Sequence, residues 1–199
     1  MGKYEYSCFG DDHALLANKD GDILYYNFIN QNTFLIDRQH PSLFSSLQIH
    51  NIDQIFITCG GNVKNNSQES EKIIKVWSPN KEDELIMKNR IVTGHTKTIE
   101  NSIILGRNKI ITLSTDKTVR TINLSTNQFE SIIPVDIDFY SGCPIDWNTI
   151  MLAGIGPKIN IYDIRNKKLT KTNKLNHDII QISKICRLTE TSFLLSNIN

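Results

Sequence analysis

Apolar and polar residues alternate along most of this chain in short runs, and turn-forming residues interrupt the runs at close intervals. The clearest stretch is 91–126. Residues 98–105 are apolar and β-branched, and Gly106-Arg107-Asn108-Lys109 has turn chemistry. A second apolar run covers 110–114, Asp116-Lys117 is a second turn, and a third run covers 118–122. Such runs, separated by Gly, Asn and Asp, predict an antiparallel meander. The same pattern predicts strands over 4–9, 13–17, 22–27 and 33–36, then 42–49, 54–59, 72–77 and 82–87. Further strands are expected over 136–140, 149–153 and 158–163, then 179–186 and 193–196. Residues 60–71, rich in Gly, Asn and Ser without an apolar period, read as a flexible inserted loop.

Gly94-His95, Ser114-Thr115-Asp116 and Val119-Arg120-Thr121-Ile122 together resemble one WD repeat, the unit of a β-propeller blade. Repeats of that family run about 40–45 residues, from a Gly-His start to a Trp-Asp end. This copy has Ile122-Asn123 at the Trp-Asp position. Trp77 stands at the Trp position of an earlier copy, followed by Ser78, and Tyr162-Asp163 replaces the pair in a later one. His40 to Cys59, His95 to Ser114 and His177 to Ser196 each span 19 residues, and His95 to His177 spans 82, two repeats of 41.

The resemblance implies an all-β chain, a β-propeller segment of four-stranded antiparallel blades. Full blades are expected over 4–38, 40–88, 91–133 and 135–173, with an incomplete fifth over 175–199. It also implies a structural hydrogen-bond network. His40, His95 and His177 would open their blades, and Cys59, Ser114 and Ser196 would sit on second strands. Asp20 and Asp116 would follow in turns, and Trp77 on a third strand. A satisfied polar chain of this kind pins strands in register. Cys59 in place of Ser weakens it in the second blade. Closed propellers have typically four to eight blades, and seven would take about 290 residues. Three completions are therefore expected as alternatives: a piece of a longer propeller, a ring completed by another chain, or a small irregular ring.

Composition adds limits. The 199 residues are enough for a good-sized domain, and the net charge of +1 favours no partner class. Charge distribution says more: residues 1–60 balance at −4 and residues 157–199 at +5. Cys8, Cys59, Cys143 and Cys186 are scattered, without the clustering a zinc site needs. They read as buried small residues in a reducing compartment. The first ten residues lack the apolar core of a secretory leader, and no apolar run reaches membrane-spanning length. The expected location is inside the cell, in cytoplasm or nucleus.

The sequence contains no Gly-rich phosphate loop, no Gly-x-Ser-x-Gly and no His-Glu-x-x-His. No cofactor or metal is expected. Asp136 and Asp138 would share one face of a strand, as an acid–base pair or, more simply, a solvated pair. The resemblance implies a non-catalytic platform on which other proteins assemble. Lys97, Lys117 and Asn65 lie in loops on the His-bearing side, as partner contacts or as plain solvated residues. The alternative is RNA or phosphoinositide binding by Arg165, Lys167, Lys168, Lys171 and Lys174. The bland reading of that run is an edge strand protected by lysines. No aromatic residue interleaves with it, which argues against base stacking there.

Overall fold

The computed structural model describes residues 4–18, 21–36, 44–50, 54–60, 72–136, 138–175 and 178–198. All regular structure among them is β-strand. The first sheet contains β1 (Tyr4–Phe9), β2 (His13–Asn18), β3 (Ile23–Asn27) and β4 (Thr33–Ile36). The second contains β5 (Phe44–His50), β6 (Ile55–Gly60), β7 (Ile73–Pro79) and β8 (Leu85–Val92). The third contains β9 (Ile99–Leu105), β10 (Lys109–Ser114), β11 (Thr118–Asn123) and β12 (Gln128–Pro134). The fourth contains β13 (Phe139–Pro144), β14 (Thr149–Gly154), β15 (Lys158–Asp163) and β16 (Lys168–Lys174). The fifth has two strands, β17 (Gln181–Arg187) and β18 (Phe193–Ile198). Every sheet follows chain order, strand beside next strand, and the paired strands run antiparallel.

Two compact units divide the chain, Met1–Ile99 and Glu100–Asn199. In the first unit, Leu15, Ala17, Ile23 and Tyr25 of the first sheet pack against Leu47, Phe56, Trp77 and Leu85 of the second. Strand β1 lies beside β5. In the second unit, Ile103, Ile111, Leu113 and Val119 of the third sheet meet Phe139, Ile150, Leu152 and Tyr162 of the fourth. The opposite face of the fourth sheet packs Cys143, Met151, Ala153 and Ile159 on Ile182 and Ile185 of the fifth. Sheets with neighbours on both faces need apolar residues at successive positions in their inner strands. Strand β14 of the fourth sheet accordingly buries five residues in a row.

Register irregularities recur at matching places. The first strands shift between Tyr4 and Tyr6, Phe44 and Ser46, Phe139 and Ser141, and Ile182 and Lys184. Such bulges increase local twist and re-aim side chains. The last one lets Ile182 and Ile185 face the same core although they are three residues apart. It also turns Cys186 outward, so that thiol is exposed rather than buried, while Cys59 and Cys143 are buried and Cys8 is half-buried.

Several boundaries differ from the sequence reading. Strand β8 runs on to Val92, so Ile91 and Val92 finish the second sheet instead of opening the third. Strand β13 begins at Phe139. Asp136 and Asp138 thus precede the strand, both exposed, and do not form a pair on a strand face. The cause lies at Gly154, where a Cβ would fall 2.0 Å from the Asp138 carbonyl oxygen. That close passage seats the approach to β13 against the end of β14. Most of residues 60–71 lies outside the described residues, as do Asp20, His40, Asn65 and His177. No helix among the described residues is long and apolar enough to cross a membrane.

Candidate functional site

The residues expected in the repeat network divide between local and longer-range roles. Ser114 is buried at the end of β10, and its Oγ accepts from the Asp116 amide at 3.1 Å. Asp116 Oδ1 accepts from the Thr118 amide at 3.0 Å and from its hydroxyl at 2.6 Å. The pair thereby fixes the turn from β10 to β11. His95 is buried in the first unit, its amide 3.4 Å from Thr93 Oγ1. Trp77 is 2% exposed, and its Nε1 donates to Thr58 Oγ1 at 2.9 Å.

Strand pairing revises the place of Cys59 and Ser196. Trp77, Ile122 and Tyr162 pair with Phe56, Ile110 and Ile150. Counting along the second strands from those partners, Gly60 and Gly154 correspond to Ser114, whereas Cys59 corresponds to Leu113 and Ala153. Ser196 pairs with Lys184 just after the first-strand bulge, as Cys59 pairs with Ser46 and Ala153 with Ser141. The equal 19-residue spacings therefore conceal a one-residue offset, which moves a strand residue to the opposite face. Cys59 belongs to an apolar column, and the hydroxyl serving Trp77 comes from Thr58.

The position after the Trp equivalent has a clear local task. Asn27 Oδ1 accepts from the Ile29 amide at 2.8 Å, and Asn123 Oδ1 from Ser125 at 2.9 Å. Asp163 Oδ1 accepts from Asn166 at 2.9 Å. In the second sheet Asn80 does this for Glu82 and Glu84. Short polar side chains at a turn start bond the backbone two residues on. The Asn166 amide, then its side chain, holds the Asp163 carboxyl below its ordinary range.

A polar cluster in the first unit was not visible from sequence. His13 is 6% exposed, and its Nδ1 lies 2.9 Å from Tyr25 Oη. That hydroxyl lies 3.3 Å from Asp83 Oδ1. With Tyr25 donating to the carboxylate, its oxygen remains free to accept from His13 in the tautomer that carries its hydrogen on Nδ1. Asp83 Oδ2 also accepts from Asn27 Nδ2 at 2.6 Å and from Asn30 Nδ2. Burial, followed by the Asp83 charge, raises the Tyr25 phenol far above its ordinary range. His13 Nε2 has no partner among the described residues. The cluster joins the first sheet to the β7–β8 turn. Among the described residues, no three His, Cys, Asp or Glu side chains come together to hold a metal ion.

The expected contact residues separate in the structure. Lys97 is exposed in the β8–β9 connection. Lys117 is exposed in the β10–β11 turn, 3.9 Å from Asp138 Oδ1. Arg165 and Lys167 occupy the β15–β16 turn, and Lys168, Lys171 and Lys174 lie on β16; all five are exposed. Lys158 sits opposite Lys174 and extends that basic edge.

The second unit also contains a groove of about 430 Å³. Its lining includes Leu105, Gly106, Arg107, Asn108, Lys109 and Trp147. Trp147 is 73% exposed. Its ring lies over Gly106, where a Cβ would approach Cζ3 to 2.5 Å. Gly106 has φ +64°, a conformation that a side chain also disfavours. The Trp147 turn is held by the Ile145 amide donating to the Thr149 carbonyl at 2.9 Å and the Asn148 amide to Asp146 Oδ1 at 2.8 Å. Lys109 is paired with Glu130 at 3.2 Å, and Asn123 Nδ2 donates to the same carboxylate at 3.1 Å. The Arg107 guanidinium makes no hydrogen bond or ion pair among the described residues. A Trp within the turn sequence Asp146-Trp147-Asn148, outside any apolar run, was the available sequence signal. Compared with known proteins, the chain matches no family model and no curated protein.

Proposed function

We propose that this chain is a segment of a WD-type β-propeller and serves as a non-catalytic platform for assembling a protein complex. The observation that carries the reading is the repeated meander: consecutive four-stranded sheets stack face to face within each unit, with bulges at matching positions. Polar groups in the repeats are spent on fixing turns and strand contacts, a use suited to a rigid support. Protein contacts would fall on exposed connections, with Lys97 and Lys117 the first to test. Affinity purification of wild type and a Lys97→Glu, Lys117→Glu variant provides the experiment. Loss of co-purifying proteins from a variant with unchanged circular dichroism supports the assignment. Identical co-purification rejects that surface.

A second reading draws on the five exposed basic residues between Arg165 and Lys174. They suit RNA or an anionic phosphoinositide headgroup. Retention at low salt should then fall steeply with added salt, and no retention on either ligand removes this reading.

A further inference from the structure

We infer that the Trp147 groove binds single-stranded nucleic acid, with a base stacked on the indole and the adjoining phosphate at Arg107. This shares the ligand class of the second reading but rests on different residues. The indole is 73% exposed, yet its ring is seated on Gly106, where there is no side chain to push it away. A fixed, exposed aromatic face suits a nucleobase, because every base has a π-face and stacking tolerates sequence.

One cation beside the ring, Arg107, is available to an anion. Arg107 is unpaired among the described residues, and Lys109 meets Glu130 at the groove side. Asp146 opposes this, but its Oδ1 is directed to the Asn148 amide of its own turn. The Asn108 side-chain amide has no partner among the described residues and can donate to or accept from a base edge or sugar hydroxyl. The Ile164 amide donates to the Asn148 carbonyl at 2.7 Å, bringing the turn that carries Arg165 and Lys167 beside the Trp147 turn. Folding thus supplies an aromatic residue beside the basic segment, although none interleaves with it in sequence.

The test is fluorescence anisotropy with a labelled oligouridylate of about 12 nucleotides, within the site sizes of single-strand binders. Whole-chain wild type, Trp147→Ala, Trp147→Phe, Arg107→Glu and a Lys171→Glu, Lys174→Glu variant are compared at low salt. Circular dichroism and the emission of buried Trp77 report folding. Wild-type binding should weaken about tenfold or more in Trp147→Ala and Arg107→Glu, as expected for a lost stack or phosphate contact. Trp147→Phe should retain most of the affinity, and the β16 variant should lose less than Trp147→Ala or Arg107→Glu. No wild-type binding overturns the proposal, as does Trp147→Ala binding like wild type. Loss only in the β16 variant assigns the ligand to the basic strand. Competition by polyglutamate as strong as by unlabelled oligouridylate assigns the groove to acidic peptide instead.

Discussion

A buried tyrosine hydroxyl resists ionisation, and at Tyr25 the Asp83 carboxylate adds repulsion against a phenolate. The folded pKa lies above the unfolded value of 10.0, so this group's stability contribution is complete below pH 10.0 and is lost as pH rises further. Urea unfolding of wild type should therefore show falling stability above that pH, with a shallower fall in Tyr25→Phe. At neutral pH, Asp83→Asn should cost about 1.5–3 kcal/mol, because charge-assisted hydrogen bonds are lost. Asn tolerates the positive φ of 64° at this position, so backbone strain contributes little to the difference. An unchanged urea midpoint for Asp83→Asn removes the cluster's assigned stabilising role. None of this could be read from sequence. His13 and Tyr25 occupy one repeat and Asp83 the next, and no local spacing rule joins a strand to another repeat's turn.

At the scale of strands, Gly142 shows how closely the third and fourth sheets interdigitate. A Cβ there would meet Ile103 Cδ1 at 2.7 Å and the Leu113 and Leu152 methyls at 2.8 Å. Gly142→Ala should destabilise by about 1–3 kcal/mol through overpacking, measured by urea unfolding. Ile103→Val in the same chain should recover part of the loss, since it removes the nearest methyl. A neutral Gly142→Ala would mean that the sheets separate readily. The same strand shows where sequence reading stopped short. Gly142-Cys143-Pro144 has turn composition, but its glycine provides room between sheets and its proline ends β13. By contrast, β4 and β15 coincide with their apolar runs, because clear turn residues flank both. Trp147 escaped notice because its surroundings, Gly106 and Arg107, come from another sheet.

Across the molecule, near-neutral net charge gives little long-range repulsion between copies. Solubility therefore depends on how each sheet edge is protected. Strand β16 carries three lysines among seven residues, β8 carries Lys88 and Arg90, and β4 is only four residues long. Each is a recognised way to blunt an edge. Strand β18, FLLSNI, has no charge and no strand on its outer side among the described residues. Leu194 on it is 57% exposed. An unpaired, uncharged strand of this kind is a template for another strand, from a partner or from a second copy. Sedimentation velocity over a concentration series should show self-association of the 199-residue chain. Leu194→Lys should shift the distribution towards monomer, because a charge on the edge opposes strand pairing without removing a core residue. Equal association of wild type and Leu194→Lys would place the contact elsewhere. A monomeric wild type would mean that β18 does not recruit a second copy of the chain.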